Sequence, residues 1–373
     1  MRLDVDFEAR QAAALEPAFV LDGRTPRLID EWQLEAAIWN HIRRAIDDRR
    51  RPDQFILTGS AIPADDATRH LGAGRLTRLR MRPMSLYEMG QSTKRTSLAS
   101  LLDGGAKGSP EANLTLAELA EQIALSGWPS LIGRRRGEAL SFAADYLEEI
   151  RRIDVSAVSA VRRDPVKVGR LLRGIGRNVA TSVSIATLAR DAGGDNRPLS
   201  YETIDAYLDS LRRLMIVEDQ PAWGVRLRTT HVLREAAKIH FVDPSLAVAA
   251  MGAGPERLLK NLNLLGLLFE SMVVRDLRVY AQATDADVFH YRDSDGLEVD
   301  AIVETGDGRW AAFEIKLGAN RVEEGAENLH RFVKRIDSSR CGPPAALGVI
   351  VSSGYGYRRE DGIYVIPIGA LGP

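Results

Sequence analysis

Two sets of residues in this chain combine types and spacings that suit chemistry on phosphates. Leu28-Ile29-Asp30-Glu31 is an apolar run that stops at two adjacent carboxylates. At the tip of a buried strand, Asp30 could hold Mg²⁺ through its water shell and Glu31 could polarise a water attacking a phosphoryl group. The tetrapeptide has the form of a Walker B strand end. The same Asp-Glu pair also suits the first turn of a helix, where the dipole favours negative charge. A second apolar run, Phe55-Ile56-Leu57, ends in Thr58-Gly59-Ser60, a polar strand tip of the sensor-1 kind that orients a lytic water. Far along the chain, Glu298-Val299-Asp300-Ala301-Ile302 is followed by Phe313-Glu314-Ile315-Lys316. Alternation along paired strands turns Asp300, Glu314 and Lys316 to one face. Taken alone, that pattern also describes a half-buried strand with solvated Glu and Lys.

The elements that position these residues belong to a chain of 373 residues, long enough for roughly two to four domains. Its 45% hydrophobic and 27% charged residues are those of a soluble globular protein. The 50 basic and 51 acidic side chains leave a net charge of −1, so overall charge argues for neither nucleic acid nor membrane as a partner. Only seven of the basic residues are lysine, an arginine excess that reads as coding bias and makes any lysine in a motif more informative. One cysteine, Cys341, excludes an internal disulfide framework and a thiolate metal cluster. No apolar run approaches the roughly 18 residues of a membrane span. The opening MRLDVDFEAR carries acids where a signal peptide is apolar, so a cytoplasmic location is expected.

Periodicity gives a coarse map. RLDVDF (2–7) alternates as a strand, and a helix follows Glu31 with Trp32, Ile38, Ile42 and Ile46 on one side. Leu76 to Met81 alternates with arginines as a further strand, so strands spaced by helices predict an open parallel sheet. The Gly- and Ser-rich 96–112 reads as a loop or linker, and 114–180 as mostly helical with a break at Gly127-Trp128-Pro129. From Ser184 the pattern is helix, turn, helix, then a strand-like MIVED, the order of a winged helix-turn-helix. A long helix is expected over 258–280, strands around an acidic turn over 288–317, and two last strands in LGVIVSS and IYVIPI.

The stretches PRLIDEWQ (26–33), QFILTGSA (54–61) and GAGRLTRLRMRPMSLYEMG (72–90), with FVDPSLA (241–247) and Phe269-Glu270, resemble the signature blocks of a prokaryotic family of AAA-type P-loop ATPases that carries a C-terminal domain of unknown function. The resemblance spreads over most of the chain. It implies an ATP and Mg²⁺ site in which Asp30 binds the metal, Glu31 and Thr58 act on the water, and Arg75 serves as an arginine finger. One departure is plain: a phosphate cradle needs Gly-Lys followed by Ser or Thr, and none of the seven lysines is followed by either. The resemblance implies that RLDVDF is the second strand of the fold, with the first strand, its P-loop and its helix upstream of Met1.

The C-terminal pattern resembles the PD-(D/E)xK nuclease fold. That fold implies a Mg²⁺ or Mn²⁺ site in which Asp300 and Glu314 bind the metal, Glu270 of the first helix joins them, and Lys316 positions water or stabilises the phosphorane. Glu298 is a neighbour of the set. The expected fold class is therefore α/β: an N-terminally truncated AAA-type parallel sheet (1–95), a helical lid or linker region (96–180), a winged helix (181–245) and a restriction-endonuclease-like domain (246–373). Arg49-Arg50-Arg51 and Arg134-Arg135-Arg136 read as solvated ends, and His231, His240, His290 and His330 as ordinary surface or core histidines without metal-ligand spacing. Three functions compete: a nucleotide-dependent switch acting on DNA or on partner proteins, a metal-dependent nuclease, and a catalytically silent interaction module. An oligomer is compatible with each, a membrane with none.

Overall fold

The computed structural model describes residues 1–62, 74–106, 108–112, 114–125, 127–154, 164–194, 197–224 and 236–373. It divides into two compact units. The first is built on Met1–Met81 with Ala206–Ile216, the second on Arg82–Arg152, Asp164–Asp205 and Val217–Pro373. His231 lies outside the described residues, as do Gly72 and Ala73 of the third signature block.

In the first unit, helices α1 (Phe7–Leu15), α2 (Pro17–Leu21) and α3 (Ile38–Arg49) accompany strands β1 (Arg27–Asp30) and β2 (Phe55–Thr58). The strands pair in parallel, with Asp30 opposite Thr58. Leu3, Ala13, Val20, Leu21, Ile29, Ile38 and Ile42 form the core. Two expectations are corrected here. RLDVDF is not a strand: Arg2 alone bridges to Asp30, and Asp6 caps α1 by accepting the Ala9 amide at 2.9 Å. The Ala-rich FEARQAAAL that follows favours helix, and the cap wins over the alternation. Leu76 to Met81 is irregular, because no ladder partner meets it among the described residues; Leu79 and Met81 are exposed.

The second unit carries a seven-stranded sheet in the order β4-β11-β12-β10-β9-β8-β7. Its earlier elements are β3 (Thr96–Ser97), α4 (Leu98–Leu102), β4 (Ser109–Ala112), α5 (Leu116–Leu125), α6 (Arg136–Glu149), α7 (Pro165–Arg177) and α8 (Ile185–Gly193). The helix α9 (Tyr201–Arg213) then leads to β5 (Val217–Gln220), which pairs antiparallel with β6 (Lys238–Phe241). The helix–turn–helix–strand order read from Ser184 onward is thus present along the chain. Next come α10 (Pro244–Ala250), α11 (Pro255–Leu259) and the long α12 (Leu262–Gln282).

After α12 the chain forms β7 (Ala286–Arg292), β8 (Glu298–Thr305) and β9 (Trp310–Lys316) as an antiparallel meander. Helix α13 (Val322–Arg335) crosses to β10 (Ala346–Val351), which lies parallel to β9, as the crossover connection requires. Strands β11 (Gly354–Arg358), β12 (Tyr364–Pro367) and β13 (Leu371–Gly372) finish the chain. Trp223, Trp310, Tyr291 and Phe332 pack ring to ring between α13 and the sheet. Among the described residues, no helix is long and apolar enough to cross a membrane.

The 96–112 segment is not a free linker. β4 joins the edge of the seven-stranded sheet beside β11, and β3 pairs with β13 in a separate two-stranded sheet, so both ends of the segment are tied to C-terminal strands. Its small residues permit close approach: a Cβ on Gly108 would stand 2.9 Å from the Gly356 carbonyl oxygen. Gly127 does the same for 83–90, for any side chain there would strike the Met84 backbone, to which Gly127 is hydrogen-bonded at 2.7 Å.

A buried guanidinium fastens two signature blocks to α12. Arg275 reaches Asp243 of FVDPSLA at 3.1 Å and Asp276 at 2.7 Å, and Asp276 accepts the Leu86 amide at 3.1 Å. Arg275→Ala leaves two carboxylates buried without a cation, so it should destabilise the protein by about 3–5 kcal/mol. Urea denaturation of the variant should show this as a lower midpoint at unchanged slope. A midpoint equal to the native one would mean that this network holds nothing together.

Candidate functional site

Two polar clusters stand where the sequence put its candidate residues. In the first unit, β1 and β2 end side by side, and the carboxyl ends of parallel strands are where open α/β sheets bind ligands. Thr58 Oγ1 donates to Asp30 Oδ1 at 2.6 Å, while Arg2 stands 3.6 Å from Asp30 Oδ2. Glu31 stands at the N-cap of a short 3-10 helix (Trp32–Glu35) in a left-handed backbone conformation (φ 54°), and its side chain makes no cap hydrogen bond there. Its carboxylate accepts from Ser60 Oγ at 3.0 Å and from Gln33 Nε2. Thr58 also lines a cavity of about 1100 Å³ with Trp32, Trp39, Phe55 and Arg78. Arg75 lines that cavity too, but its guanidinium pairs with Asp47 of α3 at 2.6 Å and is not brought into the Asp30–Thr58 pair. A partly exposed carboxylate with one oxygen oriented by a hydroxyl fits a hydrated divalent ion.

In the second unit, Glu270 of α12, Glu298 and Asp300 of β8, and Glu314 and Lys316 of β9 come together around two ammonium groups. Lys238 Nζ lies 2.7 Å from Glu270, 2.7 Å from Glu298 and 3.9 Å from Asp300. Lys316 Nζ lies 2.6 Å from Glu314 and 3.8 Å from Asp300. Asp300 Oδ2 also accepts the Ile315 amide at 2.8 Å, and Glu314 accepts from Asn328 Nδ2 of α13 at 2.8 Å. Sequence reasoning named all of these acids and Lys316, but not Lys238 or Asn328. The scarcity of lysine was the available signal for Lys238, which sits on a strand buried at all four positions.

Electrostatics follow from burial. Burial pushes Glu270 up to about 8, with Asp300 and Glu298 adding to it against Lys238. Burial, then Asp300, pushes Glu314 up to about 8. Burial works against charging Lys238, yet Glu270, Asp300 and Glu298 together outweigh it and hold the ammonium protonated. Burial opposes the charge on Glu298 as well, but Lys238 and Arg292 keep it below the usual range. His240 and His290 are core residues at the same place. Burial lowers both, His290 to about 4, so they are neutral; His240 is held between Ser271 at 3.1 Å and Gln220 at 3.0 Å. Gln220 in turn donates to the Asp300 carbonyl at 2.9 Å.

The carboxylates therefore do not fit the metal site that the sequence implied. Among the described residues, no three of His, Cys, Asp and Glu are arranged to hold a metal ion. Each acid is committed instead to an ammonium, an amide or a backbone N–H.

A pH dependence follows. Glu314 rises in the folded protein from 4.5 to about 8, so its contribution to stability is complete at acid pH and is lost as pH climbs through about 8. Relative to the native chain, Glu314→Gln should gain on the order of 3 kcal/mol between about pH 5 and about pH 9. Urea titrations at a series of pH values measure the difference; one that stays flat with pH removes Glu314 as a buried, charge-strained group.

Comparison with known families gives two matches. Residues 116–257 match a domain of unknown function (DUF8612), and residues 265–371 match a domain of unknown function (DUF4143). The second covers the segment for which a C-terminal domain of unknown function was expected, and takes in α12 from Leu265 on with β8 and β9 of the acid–lysine cluster, while Lys238 of β6 lies in the first match. No curated protein and no solved structure matches the chain.

Proposed function

We propose that this protein is a nucleotide-dependent switch of the AAA type, in which the β1–β2 strand ends form the Mg²⁺-facing half of a nucleotide site. The observation that carries this reading is the 2.6 Å hydrogen bond from Thr58 to Asp30 across paired parallel strand tips, with Glu31 next in the chain. In this reading Asp30 holds the hydrated ion, Thr58 fixes the direction of its carboxylate, and Glu31 polarises the attacking water. The ion supplies charge compensation on the phosphates. The match of 265–371 to a domain associated with AAA-type ATPases supports it.

Residues 1–373 contain no Gly-Lys-Ser/Thr, so the amides and lysine that grip the phosphates are not among them. Mg·ATP should accordingly bind this chain only weakly, with a Kd of about 1 mM or higher. Equilibrium binding of labelled ATP measures this, and low-micromolar affinity would refute it. What binding there is should lose its Mg²⁺ dependence in Asp30→Asn and weaken in Thr58→Ala. Binding indifferent to both positions sinks the nucleotide reading. In a longer chain that supplies the cradle, Glu31→Gln should bind ATP and turn it over slowly.

A second reading concerns the C-terminal unit. The order α12, β7, β8, β9, α13, β10 and the Asp300–Glu314–Lys316 face support a PD-(D/E)xK-like fold. The commitment of its acids to two lysines favours a nuclease-like platform that binds a DNA or protein partner without cutting. An assay with Mn²⁺ on single- and double-stranded DNA and on RNA tests this: cleavage that Asp300→Ala abolishes would make the unit a nuclease.

A further inference from the structure

Among the described residues, Lys238 is the one cation that touches acids from both α12 and β8. Its side chain is 1% exposed, and its stem reaches the cluster from β6, outside the α12–β10 run that carries the acids. Two carboxylate oxygens stand 2.7 Å from the nitrogen and a third 3.9 Å away. The first two distances are those of charge-assisted N–H···O bonds, longer than the roughly 2.0–2.6 Å of oxygen bound to a divalent metal. Glu270 and Glu298 thus close on one point with Asp300 farther off, and that point is occupied by a covalently tethered monovalent cation.

We propose that Lys238 is the resident cation of this cluster, standing where a divalent ion would otherwise sit among Glu270, Glu298 and Asp300. The three carboxylates are not arranged as metal ligands while the ammonium stands among them; removing it frees them to close on a divalent cation. The inference rests on the second reading above and deepens it: the fold keeps the acids of a metal site, and the chain supplies their counter-charge. The tether also sets a size limit. An ammonium between Glu270 and Glu298 leaves no room for a hydrated ion at that point, so access to the acids requires displacing a buried lysine. That displacement breaks two short ionic hydrogen bonds and leaves buried acids unpaired, which is strongly unfavourable.

The test uses the full chain and Mn²⁺ alone, followed by titration calorimetry and by thermal denaturation. Native protein should show no Mn²⁺ binding that depends on Glu270, so Glu270→Gln should leave its titration unchanged. Lys238→Ala should bind Mn²⁺ about tenfold or more tighter than native protein, and the gain should vanish when Glu270→Gln is added. Mn²⁺ should raise the melting temperature of Lys238→Ala and leave that of the native chain where it is. Lys238→Met, which refills the volume without charge, stands in if the alanine variant does not fold. The proposal is overturned if Glu270→Gln weakens Mn²⁺ binding by native protein, or if a folded Lys238 variant gains none. Lys238 variants that stay unfolded in millimolar Mn²⁺ overturn it too, since the ion then does not replace the ammonium. Asp300-dependent nuclease activity of the native chain would sink the platform reading, but the Glu270 dependence of Mn²⁺ binding would still decide the role of Lys238.

Discussion

The second unit is organised around a single electrostatic constraint: carboxylates buried at the junction of α12, β8 and β9 need counter-charge from within. Four acids, Glu270, Glu298, Asp300 and Glu314, meet two ammonium groups. A lone buried carboxylate is costly enough that it takes a proton or finds a cation. Both solutions operate here. Lys238 and Lys316 stay charged, while Glu270 and Glu314 are pushed toward the protonated form. The elements that deliver these groups cannot move independently. β6 must lie beside α12 to bring Lys238 in, and α13 must cross over β9 to bring Asn328 to Glu314. Gly325 of α13 fits that crossing, since a Cβ there would stand 3.3 Å from the Glu314 Cβ and 3.1 Å from Val349.

The same logic explains why several stretches that resemble a nucleotide-binding family turn out to lie in the interior of the second unit. Asp243 of FVDPSLA and Leu86 of the 72–90 block converge on Arg275–Asp276, and Asp243 also accepts the Gly127 amide at 3.2 Å. A motif of this kind marks a place where a charge network must close inside the protein. It identifies a fold more directly than it identifies a reaction.

How much could be read in the sequence varied with the physical source of each signal. Strand ends defined by an abrupt change from apolar to acidic were legible: Asp30 and Thr58 are paired tips, and Asp300, Glu314 and Lys316 do converge. Alternation without a partner was misleading. RLDVDF and Leu76–Met81 both alternate, yet one is taken by a helix whose cap is Asp6 and the other has no neighbouring ladder. Glycine and serine in 96–112 read as a loop or linker, but Gly108 and Ser109 pack closely against Gly356 of β11. Lys238 was hidden for a different reason. Its role depends on contacts with residues 32 and 62 positions away, and no local pattern carries such information. Its rarity as a lysine was visible, but rarity flags a residue without saying what it meets.

The two clusters differ most in how their polar groups are committed. At the β1–β2 tips the acids are partly exposed, and their partners are hydroxyl, amide and a distant guanidinium. Such partners are uncharged or lie beside water, so exchanging them for water or an incoming ion strands no buried charge, although each hydrogen bond to a carboxylate contributes about 1.5–3 kcal/mol. In the acid–lysine cluster of the second unit each acid faces an ammonium, a backbone N–H or an amide inside the protein, so exchange means leaving a charge unpaired in a medium that penalises it heavily. Binding and release of a charged ligand need the first kind of environment. A fixed surface that holds its shape while a partner docks needs the second. The same residue types, Asp and Glu, thus stand in opposite electrostatic environments in the two clusters.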